Sequence, residues 1–243
     1  MILAAAPAPP EPAPPEPAPP EPAPPSPTPF RRIVGVLRIL LAALVLTAII
    51  SQITDQLLND AFDPAGYFGF FTIQSGLMNV VVLAVGGVLA LRLSAEPELL
   101  ARLRMATLSY ALITGLVYNL VLRGLPPDGS FVGIGWPNEV LHVWAPTLIL
   151  LDWLLAPGRP ALAWKRLWFA LIYPLAWLAY ALLRGTFTGW WTYPFLNPDE
   201  PGGWPSVLLY VLVIAGVIVG ISAAAIGLSR VGRRESVRTP ARR

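Results

Sequence analysis

A threonine and the chain's only histidine are the residues best suited to nucleophilic chemistry. Thr72 lies near the start of a predicted helix over residues 68–91, and His142 near the start of another over 139–156. Threonine becomes a nucleophile when a base removes its hydroxyl proton, and histidine suits that base because it titrates near neutral pH. If the two helices are neighbours, Thr72 and His142 form a candidate catalytic pair.

Further polar residues share the face of the helix that carries Thr72. Ser75, Gly76 and Asn79 follow Thr72 at i+3, i+4 and i+7, so all four lie on one side. Together with Asn138, the side chains of Ser75 and Asn79 are candidates for binding a substrate oxyanion. The plainer interpretation is that these small and polar residues let two helices pack closely.

His142 also has a plainer interpretation, as a structural or interfacial residue at a helix start. No acidic residue evidently orients its ring, although Glu139 lies three residues earlier on the same face. A single histidine argues against a haem with two histidine ligands, and the absence of cysteine excludes disulfides and thiolate metal sites. No metal or cofactor site is expected.

The elements that carry these residues are predicted to be membrane helices. The chain of 243 residues is 55% hydrophobic and only 13% charged, with a mean hydropathy of +0.61. Apolar stretches of about 20 residues are long enough to cross a bilayer as helices. The fold class predicted is all-α, a polytopic membrane bundle of about six transmembrane helices, with spans near 33–54, 68–91, 103–123, 139–156, 165–184 and 205–228.

The distribution of charge predicts how the bundle lies in the membrane. Fifteen of the 17 basic residues fall at the two termini or in the second-to-third and fourth-to-fifth loops, whereas Arg123 and Arg184 fall opposite. The positive-inside rule then places both termini in the cytoplasm of a plasma-membrane protein. Arg38, inside the first span, is expected to snorkel to the interface, and Asp152 to pair with arginines at the inner end.

The predicted orientation places Thr72 and His142 towards the same side of the membrane. The second and fourth spans both run from outside to inside, with Thr72 and His142 each a few residues from the outer end. At a rise of about 1.5 Å per residue, the two should share a depth to within about 3–6 Å.

Two terminal segments flank the membrane domain. Residues 1–30 form a proline-rich arm that is predicted to be disordered or extended, 31–229 form the six-helix domain, and 230–243 form a basic cytoplasmic tail. The basic residues cluster at helix ends, which suits a lipid surface rather than nucleic acid. Membrane lipid is the partner expected, and the sequence identifies no protein partner.

Three segments resemble a known family. Residues 70–75 (Phe-Phe-Thr-Ile-Gln-Ser), 141–146 (Leu-His-Val-Trp-Ala-Pro) with Asp152-Trp153, and 193–197 (Tyr-Pro-Phe-Leu-Asn) resemble the bacterial six-span "Pr-six-Pr" membrane proteins. That family is distantly similar to the animal androgen-induced membrane threonine hydrolases, which cleave fatty acid esters of hydroxy fatty acids. The resemblance implies a six-span fold over residues 33–228, with Thr72 as nucleophile and His142 as base.

The leading functional hypothesis is therefore a membrane-embedded hydrolase of fatty-acid-type lipid esters that uses Thr72 and His142. The alternative is a non-enzymatic protein that binds or transports a lipid or small solute in a polar interior. The chain shows no internal repeat of the kind found in secondary transporters. A third hypothesis is a structural membrane component that recruits partners through its proline-rich arm and its basic tail.

Overall fold

The chain folds into a bundle of long helices. The structure, a computed structural model, describes residues 26–125 and 132–231, and this part of the chain contains helices and no strand. The helices are α1 (Pro29–Leu58), α2 (Pro64–Tyr67), α3 (Phe71–Arg92), α4 (Glu98–Val117), α5 (Trp136–Glu139), α6 (Ala145–Leu155), α7 (Phe169–Thr188) and α8 (Gly203–Arg230). π-Helical turns extend α4 over Tyr118–Leu122 and join α5 to α6 over Val140–Trp144.

Five helical segments of the described chain are long and apolar enough to cross a membrane, as expected for a multi-pass membrane protein. They are Pro29–Leu58, Phe71–Arg92, Glu98–Leu122, Trp164–Thr188 and Gly203–Arg230, and they match five predicted spans. The predicted fourth span is not among the five; there α5, the π turn and α6 form one continuous helix, which we call the histidine rod. Polar residues at its start and Asp152 near its end leave the histidine rod less apolar than the other five.

The histidine rod runs the length of the bundle. Near its start, Asn138 Oδ1 accepts a hydrogen bond of 3.0 Å from Gln52 Nε2, close to the end of α1. Near its end, Asp152 Oδ1 accepts one of 2.8 Å from Arg38 Nε, close to the beginning of α1. Arg38 and Gln52 are separated by about 21 Å of helix at 1.5 Å per residue. The rod therefore lies antiparallel to α1 and passes from one end of the bundle to the other.

The first helix begins with a side-chain cap. The Thr28 hydroxyl accepts from the backbone N–H of Arg31, and Pro29 takes the first helical position, where its missing N–H costs nothing. The helix thus begins inside the range 1–30 that was assigned to the proline-rich arm. Most of that arm and of the basic tail lies outside the described residues.

Glycines bring α1 and α3 into close contact. A Cβ added to Gly35 would lie 2.8 Å from the carbonyl oxygen of Gly87, and one added to Gly87 would lie 2.7 Å from that of Gly35. Only residues without a side chain allow two helix backbones this close. This packing holds α3, the helix that carries Thr72, against α1.

A group of charged side chains packs together where the end of the histidine rod meets the first half of α1. This charge cluster consists of Arg38, Glu96, Arg104 and Asp152, where Glu96 accepts from Arg38 at 3.3 Å and from Arg104 at 2.5 Å. Asp152 contacts the same two arginines, which confirms the predicted pairing. The prediction that Arg38 snorkels to the interface is wrong. Its side chain is 1% exposed and points inward, because both carboxylates lie there.

Candidate functional site

Thr72 and His142 meet at the end of the bundle opposite the charge cluster. Thr72 is the second residue of α3, and His142 lies in the π turn of the histidine rod. Thr72 Oγ1 is 3.4 Å from His142 Nε2. The two helices start near the same depth, and both pack against α1 and α4. The distance is at the long end for a hydrogen bond, as nucleophile–base pairs without substrate often are.

The backbone fixes the orientation of the imidazole. His142 Nδ1 is 2.9 Å from the carbonyl oxygen of Asn138, which can only accept. Nδ1 therefore carries the proton in neutral His142, and Nε2 presents its lone pair to the Thr72 hydroxyl. Glu139 does not contact the imidazole; both of its oxygens accept from Arg123 Nη2, at 2.8 and 2.9 Å.

The local sequence explains why the helix is irregular at His142. In an α-helix the His142 carbonyl would accept from residue 146, but Pro146 has no N–H. Asn119 of the neighbouring π turn supplies the missing donor, with Nδ2 at 3.1 Å from the His142 oxygen. π-Helical turns of this kind are frequent at functional sites.

An aromatic ring stacks on the imidazole of His142. The rings of Tyr118 and His142 stack with centroids 3.9 Å apart and an interplanar angle of 21°. The guanidinium of Arg123 also lies over the Tyr118 ring, 5.3 Å from its centroid. The imidazole is thus held by the Tyr118 ring and by the Asn138 carbonyl of its own helix.

The three residues predicted to bind an oxyanion have other partners. The Ser75 hydroxyl donates to the Thr72 carbonyl at 3.3 Å, and Asn79 Nδ2 donates to the carbonyls of Ser75 and Thr107 at 3.1 and 3.3 Å. The backbone carbonyl of Asn138 accepts from His142 Nδ1, and its side-chain Oδ1 accepts from Gln52 Nε2. Ser75 and Asn79 lie next to Thr72, whereas Asn138 orients the imidazole.

Tyr193 is a site residue that the sequence analysis included only in a motif of the family resemblance. It lies in the segment between α7 and α8, and its side chain lines the same cavity as Thr72 and His142. No side-chain cap hydrogen bond satisfies the first N–H groups of α3, the helix that begins at Phe71. The sequence gives no sign that Tyr193 lies near Thr72, because this depends on the path of the segment between α7 and α8.

An apolar cavity of about 100 Å³ adjoins the pair. Thr72, Tyr118, His142 and Tyr193 provide polar edges, and apolar side chains from α4, α7 and α8 provide most of the remaining wall. These include Ile113, Val117, Leu171, Leu175, Leu178, Val211, Ile214 and Ile218. The lining suits a hydrocarbon chain whose polar group reaches Thr72.

No protein-family model, curated protein or solved structure matches the chain. Within residues 26–125 and 132–231, no three histidine, cysteine or carboxylate side chains are grouped so that they could hold a metal ion. The residues at the site support nucleophilic chemistry by a hydroxyl and an imidazole.

Gly115 of α4 allows the histidine rod to approach, and we expect Gly115→Ala to disturb the site. An added Cβ would lie 2.9 Å from the His142 carbonyl oxygen and 3.3 Å from Pro146 Cγ, so the backbone of the rod would have to move. Overpacking of this kind costs about 1–3 kcal/mol. Unfolding of the purified protein in detergent, followed by tryptophan fluorescence, measures this cost.

Gly216→Ala is the matched control, because an added Cβ at Gly216 of α8 has nothing within 4 Å. It should leave stability unchanged or raise it slightly, since alanine favours helix. Equal effects of the two substitutions would show that close packing at His142 is unimportant.

Proposed function

We propose that the protein is a membrane-embedded hydrolase of fatty-acid-type esters, with Thr72 as nucleophile and His142 as general base. The observation that carries the proposal is the arrangement of the pair. A threonine hydroxyl lies 3.4 Å from the unprotonated nitrogen of an imidazole whose other nitrogen is held at 2.9 Å by a carbonyl, beside an apolar cavity.

The reaction would proceed through a covalent intermediate. Thr72 Oγ1 attacks the ester carbonyl carbon while His142 Nε2 accepts the hydroxyl proton. The bond to the departing alkoxide then breaks, His142 returns the proton to it, and an acyl-threonine ester remains. Water later cleaves this ester and regenerates Thr72.

The developing oxyanion needs donors, and Tyr193 is the best placed. Its hydroxyl is a neutral donor, and Tyr193 lines the same cavity as Thr72. Donors fixed in a site that excludes water stabilise developing negative charge strongly. The positive end of the α3 dipole acts in the same direction.

The cavity and the sequence both favour a lipid substrate. The wall of the apolar cavity accommodates an acyl chain rather than a charged metabolite. Membership of the family that the sequence resembles stays a prediction, and it points to the same class of ester. The Thr72–His142 contact supports the hydrolase over the alternative that the cavity only binds a lipid.

Hydrolysis of a fluorogenic fatty acid ester by the purified protein tests the proposal. Wild-type protein should hydrolyse the ester. Thr72→Ala should reduce the rate of hydrolysis to background while the protein stays folded and inserted. Thr186→Val, on the exposed face of α7, is the control and should retain activity. Ligand-dependent stabilisation of wild-type protein without any turnover would favour lipid binding instead.

We also propose that both termini lie in the cytoplasm and that the site faces the outer leaflet of the plasma membrane. The described basic residues concentrate at the charge-cluster end, and Asp55, Asp63, Asp199 and Glu200 concentrate at the opposite end. This asymmetry follows the positive-inside rule. The length of the histidine rod supports six crossings, which would return the chain to its starting side.

Single cysteines test the orientation cleanly, because the natural chain contains none. A membrane-impermeant maleimide should label Glu200→Cys on intact cells, whereas Ala95→Cys should react only after permeabilisation. Both positions are exposed in loops at opposite ends of the bundle. The reverse pattern would invert the topology.

A further inference from the structure

A second, smaller cavity lies beside Thr72. This polar cavity has a volume of about 20 Å³ and is lined by residues of α1, α3, α4 and the histidine rod. Thr72 and Thr114 line both this cavity and the larger apolar one, so the two spaces meet at these side chains. A volume of about 10–15 Å³ suffices for one water molecule. The polar cavity can therefore hold one water.

Asn79, which lines the polar cavity, has an unused hydrogen-bond acceptor. Its Nδ2 donates to two backbone carbonyls, those of Ser75 and Thr107, and this assigns the amide orientation. Asn79 Oδ1 is buried and has no hydrogen-bond partner among the described residues. A buried amide oxygen without a partner costs free energy unless a water molecule donates to it.

Thr114 provides a second unused group. Thr114 is 8% exposed, and its hydroxyl has no partner in the described chain. Thr114 and Asn79 both line the polar cavity, as does the proposed nucleophile Thr72. A buried water usually has two to four polar partners, and these three side chains provide that number.

We infer that the polar cavity is a water-binding site that supplies the water which cleaves the acyl-threonine ester, with Asn79 and Thr114 as its positioning residues. This inference rests on the proposed hydrolase function and deepens it. The apolar cavity would hold the acyl chain on one side of Thr72, and the polar cavity would hold the second substrate, water, on the other. Such separation keeps water close to the ester in a site that otherwise excludes it.

The step balances without a further reactant. The water oxygen bonds to the acyl carbon as His142 Nε2, free after the alcohol has left, accepts one water proton. The bond between the acyl carbon and Thr72 Oγ1 then breaks, and His142 delivers the proton to Thr72 Oγ1. The products are the carboxylic acid and the original threonine.

Gly76 offers a way to fill the cavity without altering a polar group. A Cβ added there would lie 3.4 Å from Ile49 Cδ1, 3.9 Å from Leu141 Cδ2 and 4.0 Å from Val45 Cγ1, which are ordinary contacts. Gly76 lines the polar cavity. Gly76→Ala should therefore displace water while preserving the fold, and Thr114→Val should remove a hydrogen-bonding group at nearly constant volume.

Intact-protein mass spectrometry during turnover of p-nitrophenyl octanoate tests the inference. In Thr114→Val and in Gly76→Ala, turnover should fall about tenfold, the effect of losing a hydrogen bond at a rate-limiting step. The fraction of protein that carries an octanoyl group should rise at the same time. Thr186→Val should behave like wild type in both measurements.

Two results would overturn the water site alone. One is slower turnover of both variants without accumulation of octanoyl protein, which would place Thr114 and Gly76 in the acylation step. The other is unchanged turnover and unchanged octanoyl fraction in both variants. A folded wild-type protein with neither turnover nor an octanoyl adduct would overturn the proposed hydrolase and the water site together.

Discussion

Replacement of Glu96 by glutamine is expected to destabilise the folded protein by about 3–5 kcal/mol, because it removes one partner of a buried ion network. The Glu96 side chain is 0% exposed and accepts from both Arg38 and Arg104. Glutamine keeps the shape but leaves two buried guanidinium groups with one carboxylate, that of Asp152. Unfolding in detergent, followed by circular dichroism, measures the loss.

Glu98→Gln is a closely matched control. Glu98 lies two residues away and pairs with Arg102 on the same helix, but its side chain is 49% exposed. Exposed pairs of this kind contribute about 0.3–0.5 kcal/mol. If Glu96→Gln and Glu98→Gln cost the same, the charge cluster does not stabilise the bundle.

The second large effect is expected at His142. His142→Ala should lower the rate of ester hydrolysis by about 10²–10⁴-fold, the usual contribution of a general base. Stability should change less than in Glu96→Gln, because His142 makes only two side-chain hydrogen bonds. Steady-state hydrolysis of the fluorogenic ester gives the rate, and circular dichroism verifies the fold.

A threonine on the same rod provides the control for His142. Thr147 is exposed on the outer face, and its hydroxyl bonds only to the carbonyl of Val143. Thr147→Val should therefore hydrolyse the ester at the wild-type rate. An unchanged rate in His142→Ala would remove the histidine from the mechanism.

The helices were predictable because hydropathy and length suffice to place membrane spans. The Asp152 pairing was predictable for a related reason, since a carboxylate near a helix end needs a counter-charge. The meeting of Thr72 and His142 followed from two helices with the same direction and residues at similar depth. Their adjacency itself required the structure.

Other features depend on loops, where sequence periodicity carries no information. Glu96 lies in the short loop between α3 and α4. It is buried because that loop folds inward, and the Glu96 N–H donates to the Gly158 carbonyl at 2.9 Å. Arg38 points inward because the loop places the Glu96 carboxylate there. Tyr193 lines the same cavity as Thr72 although the two residues are far apart in the chain. The π turn had a visible sign in Pro146, four residues after His142.

The most direct test of the central claim is to map the adduct of a fluorophosphonate probe on the purified wild-type protein. The account predicts a single modified peptide with the phosphonyl group on Thr72, and no modification of Thr72→Ala or His142→Ala. Folded wild-type protein that stays unmodified, or that is modified elsewhere and equally in both variants, would contradict the account. Lipid binding without catalysis would then be the better explanation of the apolar cavity.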